Sequence, residues 1–475
     1  MLKMLKHYYL KRSKTFQYAS AGLTILLVAA LGTLILDISR AASPNVTFSA
    51  TGGTLAGGSS PNQSCAGASG NSCVVFGQQL AMDGNVALAL MSPGTPFAPS
   101  SFWNTPLPSN TPVNTNNPEY LNAIKNNICK NAPIPPATSF IATTTPTSCT
   151  NTNYYGALNA YAYSAPLYVV PANQPTINVN VAPGCNTTSS AFAAALANVP
   201  VPSDAHGSGQ VDTPASLSIN DTDQEIQIYQ PSADNGNGKY WDFWRFKKDV
   251  SGNWEACWGG AIDNVSQSNG VFASNGGAMA TSLALLGATP RIEELQAGQI
   301  NHAIGLTIGD VTSADLAKNL SPANCQASPP NPALDVSGAG ISSPATRTDG
   351  ASTDYCAIPE GLRFRLPASF NLTQYNSDLV AQSKSPLTPM AAAIATAVKN
   401  YGFVVDDSCP QPCMVIRIGD PTTYIAAGLP DPYLTGPGVG GVGNSGLFGG
   451  LSPTQTGLVM KNFPWDQLEA LPLNY

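Results

Sequence analysis

Residues 361–366 read Gly-Leu-Arg-Phe-Arg-Leu, and Leu362, Phe364 and Leu366 alternate with Arg363 and Arg365. Successive side chains of a β-strand point to opposite faces, so this stretch sets an apolar face against a core and sends both arginines the same way. Alternation or a β-branched run recurs at 167–170, 177–181, 225–229, 303–308 and 414–418, each bounded by turn-forming residues. Helical patterns are fewer: 120–128, 190–197, 278–286 and 389–401. The last is the clearest, with Thr388 placed to cap it, a proline in its first turn and Gly402 just past its end. The expected architecture is mainly β, a sandwich or jelly-roll-like body with a few peripheral helices. A body of roughly 340 residues is large for one sandwich, so two packed lobes fit as well.

The β-rich main domain spans residues 96–433. Before it, residues 43–95 are Gly/Ser-rich, nearly uncharged and short of apolar side chains beyond Val74, Val75 and Phe76, so they read as a stalk rather than an independent core. After it, residues 434–475 begin with LTGPGVGGVGNSGLFGGLSP, which reads as a Gly-rich flexible linker. The tail beyond carries a candidate docking helix at 465–471.

Residues 1–42 form an export element. Lys3, Lys6, Lys11, Arg12 and Lys14 precede an uncharged stretch from Thr15 to Leu36. This segment is just long enough for the ~20 helical residues that span a bilayer core, and the basic cluster holds the N-terminus inside. Ser39 and Ala41 suit a signal-peptide cleavage site, whereas the length of the apolar run and Arg40 suit a retained anchor. Either reading puts the body outside, secreted or tethered to the outer face of the cytoplasmic membrane through residues 15–36.

Ten cysteines all lie beyond that segment, at 65, 73, 129, 149, 185, 257, 325, 356, 409 and 413. An even count in an exported chain points to disulfides, and nearest-neighbour pairing gives Cys65–Cys73, Cys129–Cys149, Cys185–Cys257, Cys325–Cys356 and Cys409–Cys413. No CxxC pair suggests zinc, and Asn220-Asp-Thr-Asp223 lacks the remainder of a calcium loop. No metal or cofactor is expected. Without residues 1–40 the chain keeps 15 basic and 27 acidic residues, a net charge of −12, which disfavours a nucleic-acid partner.

Two resemblances add to this. Residues 47–77 (TFSATGGTLAGGSSPNQSCAGASGNSCVVFG) resemble the opening strands of β-sandwich carbohydrate-binding modules, without the part that binds ligand. The body resembles a group of uncharacterised secreted bacterial proteins through SFWNTPLP (101–108), VPVPSDAHG (199–207), YWDFW (240–244), GQINHA (298–303), GLRFRL (361–366) and KNYGFVVDD (399–407). Some members of that group accompany carbohydrate-binding modules, which implies a glycan setting by association.

Histidine is scarce beyond the export element: His206, in a Gly-containing loop, and His302, before a strand. Either could serve as a general base near neutral pH, or be a hydrogen-bonded structural residue. Asp204, Asp242, Glu294, Asp406 and Asp407 are the acidic candidates, since two carboxyls flanking a sugar can run glycoside hydrolysis. Asp406-Asp407, after the run 403–405, reads as a loop-borne site or a solvated turn. Trp241, Asp242 and Trp244 are candidates for an aromatic sugar platform with a hydrogen-bonding acid, against a core role for the rings. Arg363 and Arg365 could clamp a uronate carboxylate or phosphate, or pair with surface acids. There is no G-x-S-x-G, P-loop, HExxH or dinucleotide fingerprint.

Two functional readings follow. In one, an exported cell-surface protein binds or acts on extracellular glycan as a hydrolase or lyase, with His302, His206, Asp204, Arg363 and Arg365 around one cleft. In the other it is a non-catalytic adhesin or envelope component.

Overall fold

The computed structural model describes residues 94–114, 117–128, 156–185, 189–209, 223–309, 311–313, 340–352, 357–410 and 413–475, together with strand pieces at 59–63, 73–76, 80–82 and 86–88. The export element lies outside the described residues, as do Asn220, Cys65, Cys129, Cys149, Cys325 and Cys356, and with these the pairings 65–73, 129–149 and 325–356. Among the described residues no helix is long and apolar enough to cross a membrane.

The chain divides into two compact units, Met1–Val75 and Phe76–Tyr475. Of the first unit, strands Ser59–Gln63 and Cys73–Phe76 (which crosses the division) are described, and they pair with each other.

The second unit is mainly β, built on two larger sheets. Its ten principal strands are β1 (Ala157–Asn159), β2 (Leu167–Val169), β3 (Ile226–Gln230), β4 (Lys239–Trp244), β5 (Trp258–Ile262), β6 (Ile304–Ile308), β7 (Arg363–Arg365), β8 (Phe403–Ser408), β9 (Met414–Arg417) and β10 (Glu469–Ala470). Six form one sheet in the order β10-β7-β8-β6-β9-β1, and four form another in the order β5-β4-β3-β2. Both are mixed: β6 with β8, β9 with β1 and β2 with β3 run parallel, and the other pairs run antiparallel. Central strands β6, β7 and β9 are buried throughout, so neither face of the sheet is left to solvent there, and Arg363, Arg365 and Arg417 are buried along with their apolar neighbours.

The helix at Pro389–Asn400 is formed as its sequence suggests. The Thr388 hydroxyl accepts the Ala391 N–H at 3.1 Å, and Pro389 occupies the first turn. Gly402, at φ +88°, then turns the chain into β8; a Cβ there would lie 2.7 Å from the Phe364 carbonyl. Peripheral is the wrong description of this helix. Met390, Ala391, Ala393, Ile394, Ala395, Ala397 and Val398 are buried, and they pack with Phe364, Phe403, Val405 and Ile416 in the largest apolar cluster.

The C-terminal stretch also departs from expectation. Gly-rich residues 434–453 contribute Val439, Leu447 and Phe448 to that same cluster. Gly446 is required at one close approach, where a Cβ would meet the Tyr433 carbonyl at 2.4 Å. Trp465 stacks on Phe403 at 5.7 Å, and the chain then enters the sheet as β10 instead of forming a docking helix. Gly-rich composition signalled flexibility, but the buried residues set among the glycines anchor the segment to the body.

Two disulfides follow the nearest-neighbour expectation, Cys185–Cys257 and Cys409–Cys413.

Candidate functional site

Asp406 and Asp407 lie within β8, where consecutive side chains would ordinarily face opposite ways. The pairing with β6 slips by one residue: Leu306 faces Val405, but Thr307 faces Asp407. Asp406 is thus the extra residue of a bulge, a feature that re-aims side chains. Both carboxylates consequently reach Arg417 of β9. Its Nη1 lies 3.5 Å from Asp406 Oδ2, and its Nη2 makes a short hydrogen bond to Asp407 Oδ2. Nη1 also donates to Thr307 Oγ1 at 2.9 Å, and Nε to the Tyr163 carbonyl at 3.2 Å, with Glu225 Oε2 3.8 Å away. Asp406 is 1 % exposed, so the solvated-turn reading of this pair does not hold.

More charged groups surround this centre. Asp349, Glu360 and Asp407, from a loop, the turn before β7 and β8, each place a carboxylate oxygen within 4.8 Å of the other two. Asp349 is exposed, Asp407 half-buried and Glu360 fully buried. Arg347 sits in the field of Asp407, Asp242, Glu360 and Asp349. Its Nε donates to Ser282 Oγ at 3.1 Å and its Nη2 to the Gly277 and Met279 carbonyls at 2.9 and 2.6 Å.

Burial governs the ionisation of this cluster. Desolvation pushes Asp406 up to about 6 although Arg417 pulls the other way. It raises Asp407 as well, with Asp349 and Asp223 adding to the rise against Arg417. Glu360 stands well above the usual carboxylate range through burial and the neighbouring Asp407. Arg417 opposes its own burial penalty through Glu225, Asp407 and Asp406, which hold its proton more tightly than usual. Perturbed acids gathered at one place are a recognised mark of functional centres.

Beside this cluster lies an aromatic pair. Trp244 and Trp258 are partners across the β4–β5 ladder, and both are half-buried. Trp258 stacks on Phe192 with ring centres 5.3 Å apart and carries the Arg347 guanidinium 5.4 Å from its own ring centre. Trp244 donates its indole N–H to Asp223 at 3.0 Å and carries Arg245 at 4.3 Å.

The other residues singled out from the sequence are dispersed among structural roles. Trp241 is 3 % exposed and packs in an apolar cluster with Ile226, Ile228 and Phe243, so its ring is not at the surface for a sugar. Asp242 is fully buried, accepting the Ala278 N–H at 2.8 Å, the Tyr240 hydroxyl at 3.1 Å and the Leu285 N–H at 3.4 Å. Burial pushes it up to about 7. His302 is 0 % exposed with both ring nitrogens engaged, Nε2 with Glu294 at 3.1 Å and Nδ1 with the Ala303 carbonyl at 2.7 Å. Burial opposes the Glu294 charge, but His302 and Arg291 outweigh it and hold that carboxyl low. Arg365 bonds Glu469 and the carbonyls of Pro108 and Thr111. Arg363 bonds the Tyr401 carbonyl, and burial pushes its guanidinium down to about 10. His206 lies in its loop with its backbone N–H on the Tyr168 hydroxyl at 3.2 Å, and Asp204 is exposed two residues before it.

The sequence reading missed Arg417, Glu225, Arg347, Asp349, Glu360 and Trp258. One signal was available: Arg417 interrupts an apolar strand, where a lone charge requires buried partners. Asp349 and Glu360 carried none, because the fold alone brings them together.

No protein-family model, curated protein or solved structure matches this chain.

Proposed function

We propose that this is an exported cell-surface protein that binds extracellular carbohydrate at the Trp244–Trp258 face. One observation carries the reading: two half-buried indoles paired across a ladder stand next to a dense group of carboxylates. Sugar rings stack on aromatic faces through their C–H surfaces, and their hydroxyls donate to carboxylates, so each half of the site recognises one side of a saccharide. Arg347 joins the halves, reaching the Trp258 ring while sitting in the field of Asp407 and Glu360.

Binding has more support than turnover. The groups first considered for catalysis, His302 and Arg365, have their polar atoms committed to structural partners. Export, through the N-terminal basic and apolar segment, belongs to the same proposal and is supported by two disulfides. So does kinship with the secreted bacterial group, resting on its shared landmarks. Sandwich-like layering of the two sheets is proposed too: Val404 of β8 shares an apolar cluster with Val169, Tyr229 and Tyr240 of the four-stranded sheet.

A glycan array, read together with assays for new reducing ends and unsaturated products, tests the reading. Binding without products is the expected result. Products would make the protein an enzyme, and silence in both would leave an envelope component.

A further inference from the structure

We propose that Asp349, Glu360 and Asp407 form a binding site for a hard divalent cation, with calcium favoured. The donors are all carboxylate oxygens, with no histidine or cysteine among them. That set suits calcium or magnesium rather than zinc or copper. Their mutual separation within 4.8 Å is no more than two oxygens on opposite sides of a calcium ion span at ~2.4 Å each. Magnesium, at ~2.1 Å and octahedral, demands a tighter cage.

Glu360 supplies the independent reason to place a ligand here. It is 0 % exposed, and neither of its side-chain oxygens receives a hydrogen bond of good geometry. Its near polar neighbours are the Thr348 hydroxyl and the Asp349 carboxyl. A second carboxyl satisfies a buried carboxylate only through a shared proton or an intervening cation. Neither nearby arginine hydrogen-bonds Glu360: Arg417 is spent on Asp406, Asp407, Thr307 and Tyr163, and Arg347 directs its Nε and Nη2 to Ser282, Gly277 and Met279.

The three donors are held in place before any ion arrives, Asp407 by Arg417 on its Oδ2 and by the Ser408 N–H on its Oδ1 at 3.0 Å. The Glu360 carbonyl accepts the Ser342 N–H at 2.7 Å, and the Gly361 N–H donates to the Val405 carbonyl at 2.8 Å. Gly361, at φ +87°, admits no Cβ, which would fall 1.6 Å from the Ser342 carbonyl. On the opposite side, the Thr348 hydroxyl accepts the Gly350 N–H at 2.9 Å and so shapes the loop presenting Asp349. Exposed Asp349 gives the ion its entry from solvent, and Glu360 forms the floor.

This inference goes beyond the glycan reading and stands without it, because it is tested with metal alone. After chelator treatment, the purified full chain is dialysed to equilibrium against calcium, magnesium or zinc chloride. Saturable binding of calcium is expected, with magnesium weaker. Glu360→Gln should weaken calcium binding at least tenfold, and so should Asp349→Asn, whose exposed position leaves folding intact. Absence of saturable calcium binding by the wild type would overturn the site. So would undiminished binding by Asp349→Asn, or a preference for zinc. Calcium binding without any glycan binding would leave this site standing while removing the proposed function, and the reverse pattern would do the opposite.

Discussion

Arg417 is buried with Asp406, Glu225 and half-buried Asp407 around it. Removing one partner of such a group leaves uncompensated buried charge, which costs about 3–5 kcal/mol. Arg417→Met should lower stability by that amount, seen as a lower urea midpoint at unchanged slope. A shift under about 1 kcal/mol would mean that the acids simply protonate and need no cation. Asp242 makes a separate prediction about pH. Its folded pKa of about 7 lies above the unfolded value, so the folded state holds the extra proton between pH ~4 and ~7 and stability falls as pH rises through that window. The stabilising protonation is complete below the unfolded pKa and gone above the folded one. Asp242→Asn should flatten the decline, on the order of a few kcal/mol, between denaturation curves at pH 4.5 and 7.5. An unchanged decline would assign it to other acids.

At the scale of elements, the turn from the helix Pro389–Asn400 into β8 depends on Gly402. Its φ of +88° disfavours any side chain, and the Phe364 carbonyl occupies the space a Cβ would need. Gly402→Ala should destabilise by on the order of 1–3 kcal/mol, read by thermal or urea unfolding; a neutral result would mean that the turn relaxes freely. This helix and its strand were legible in the sequence because a Thr cap, a first-turn Pro and a terminal Gly act locally. The strands at 167–169, 226–230, 304–308 and 414–417 were legible for the same reason, through β-branched runs. Residues 278–284 were not: their apolar pattern suggested a helix, but only Leu285–Ala288 is helical. Asp242 and Arg347 bind the backbone of the preceding loop from distant parts of the chain. Local pattern cannot report such contacts, nor the bulge that turns Asp406 and Asp407 toward one arginine. The candidate site was accordingly half seen, Asp407 and Trp244 by local pattern, while Glu360, Asp349 and Trp258 arrive through topology.

Across the whole molecule, the two observed disulfides span very different loops. Cys185–Cys257 joins residues 72 apart, whereas Cys409–Cys413 spans 4. Chain-entropy reasoning gives the longer bridge about 4 kcal/mol and the shorter about 2 kcal/mol. The double variant Cys185→Ser/Cys257→Ser should therefore lose more stability than Cys409→Ser/Cys413→Ser, as compared by urea unfolding. The opposite order would show native-state strain or residual unfolded structure outweighing loop entropy. The C-terminal residues close the same body, since Trp465 stacks on Phe403 and β10 completes the six-stranded sheet.

Glycan-array binding by wild type, Trp244→Ala and Trp258→Ala, each with an unchanged circular-dichroism spectrum, bears most directly on the paired indoles beside the carboxylates as the place of contact. Binding by the wild type that falls at least tenfold in both variants is the predicted result. Full binding by either folded variant, or none by the wild type, would contradict it.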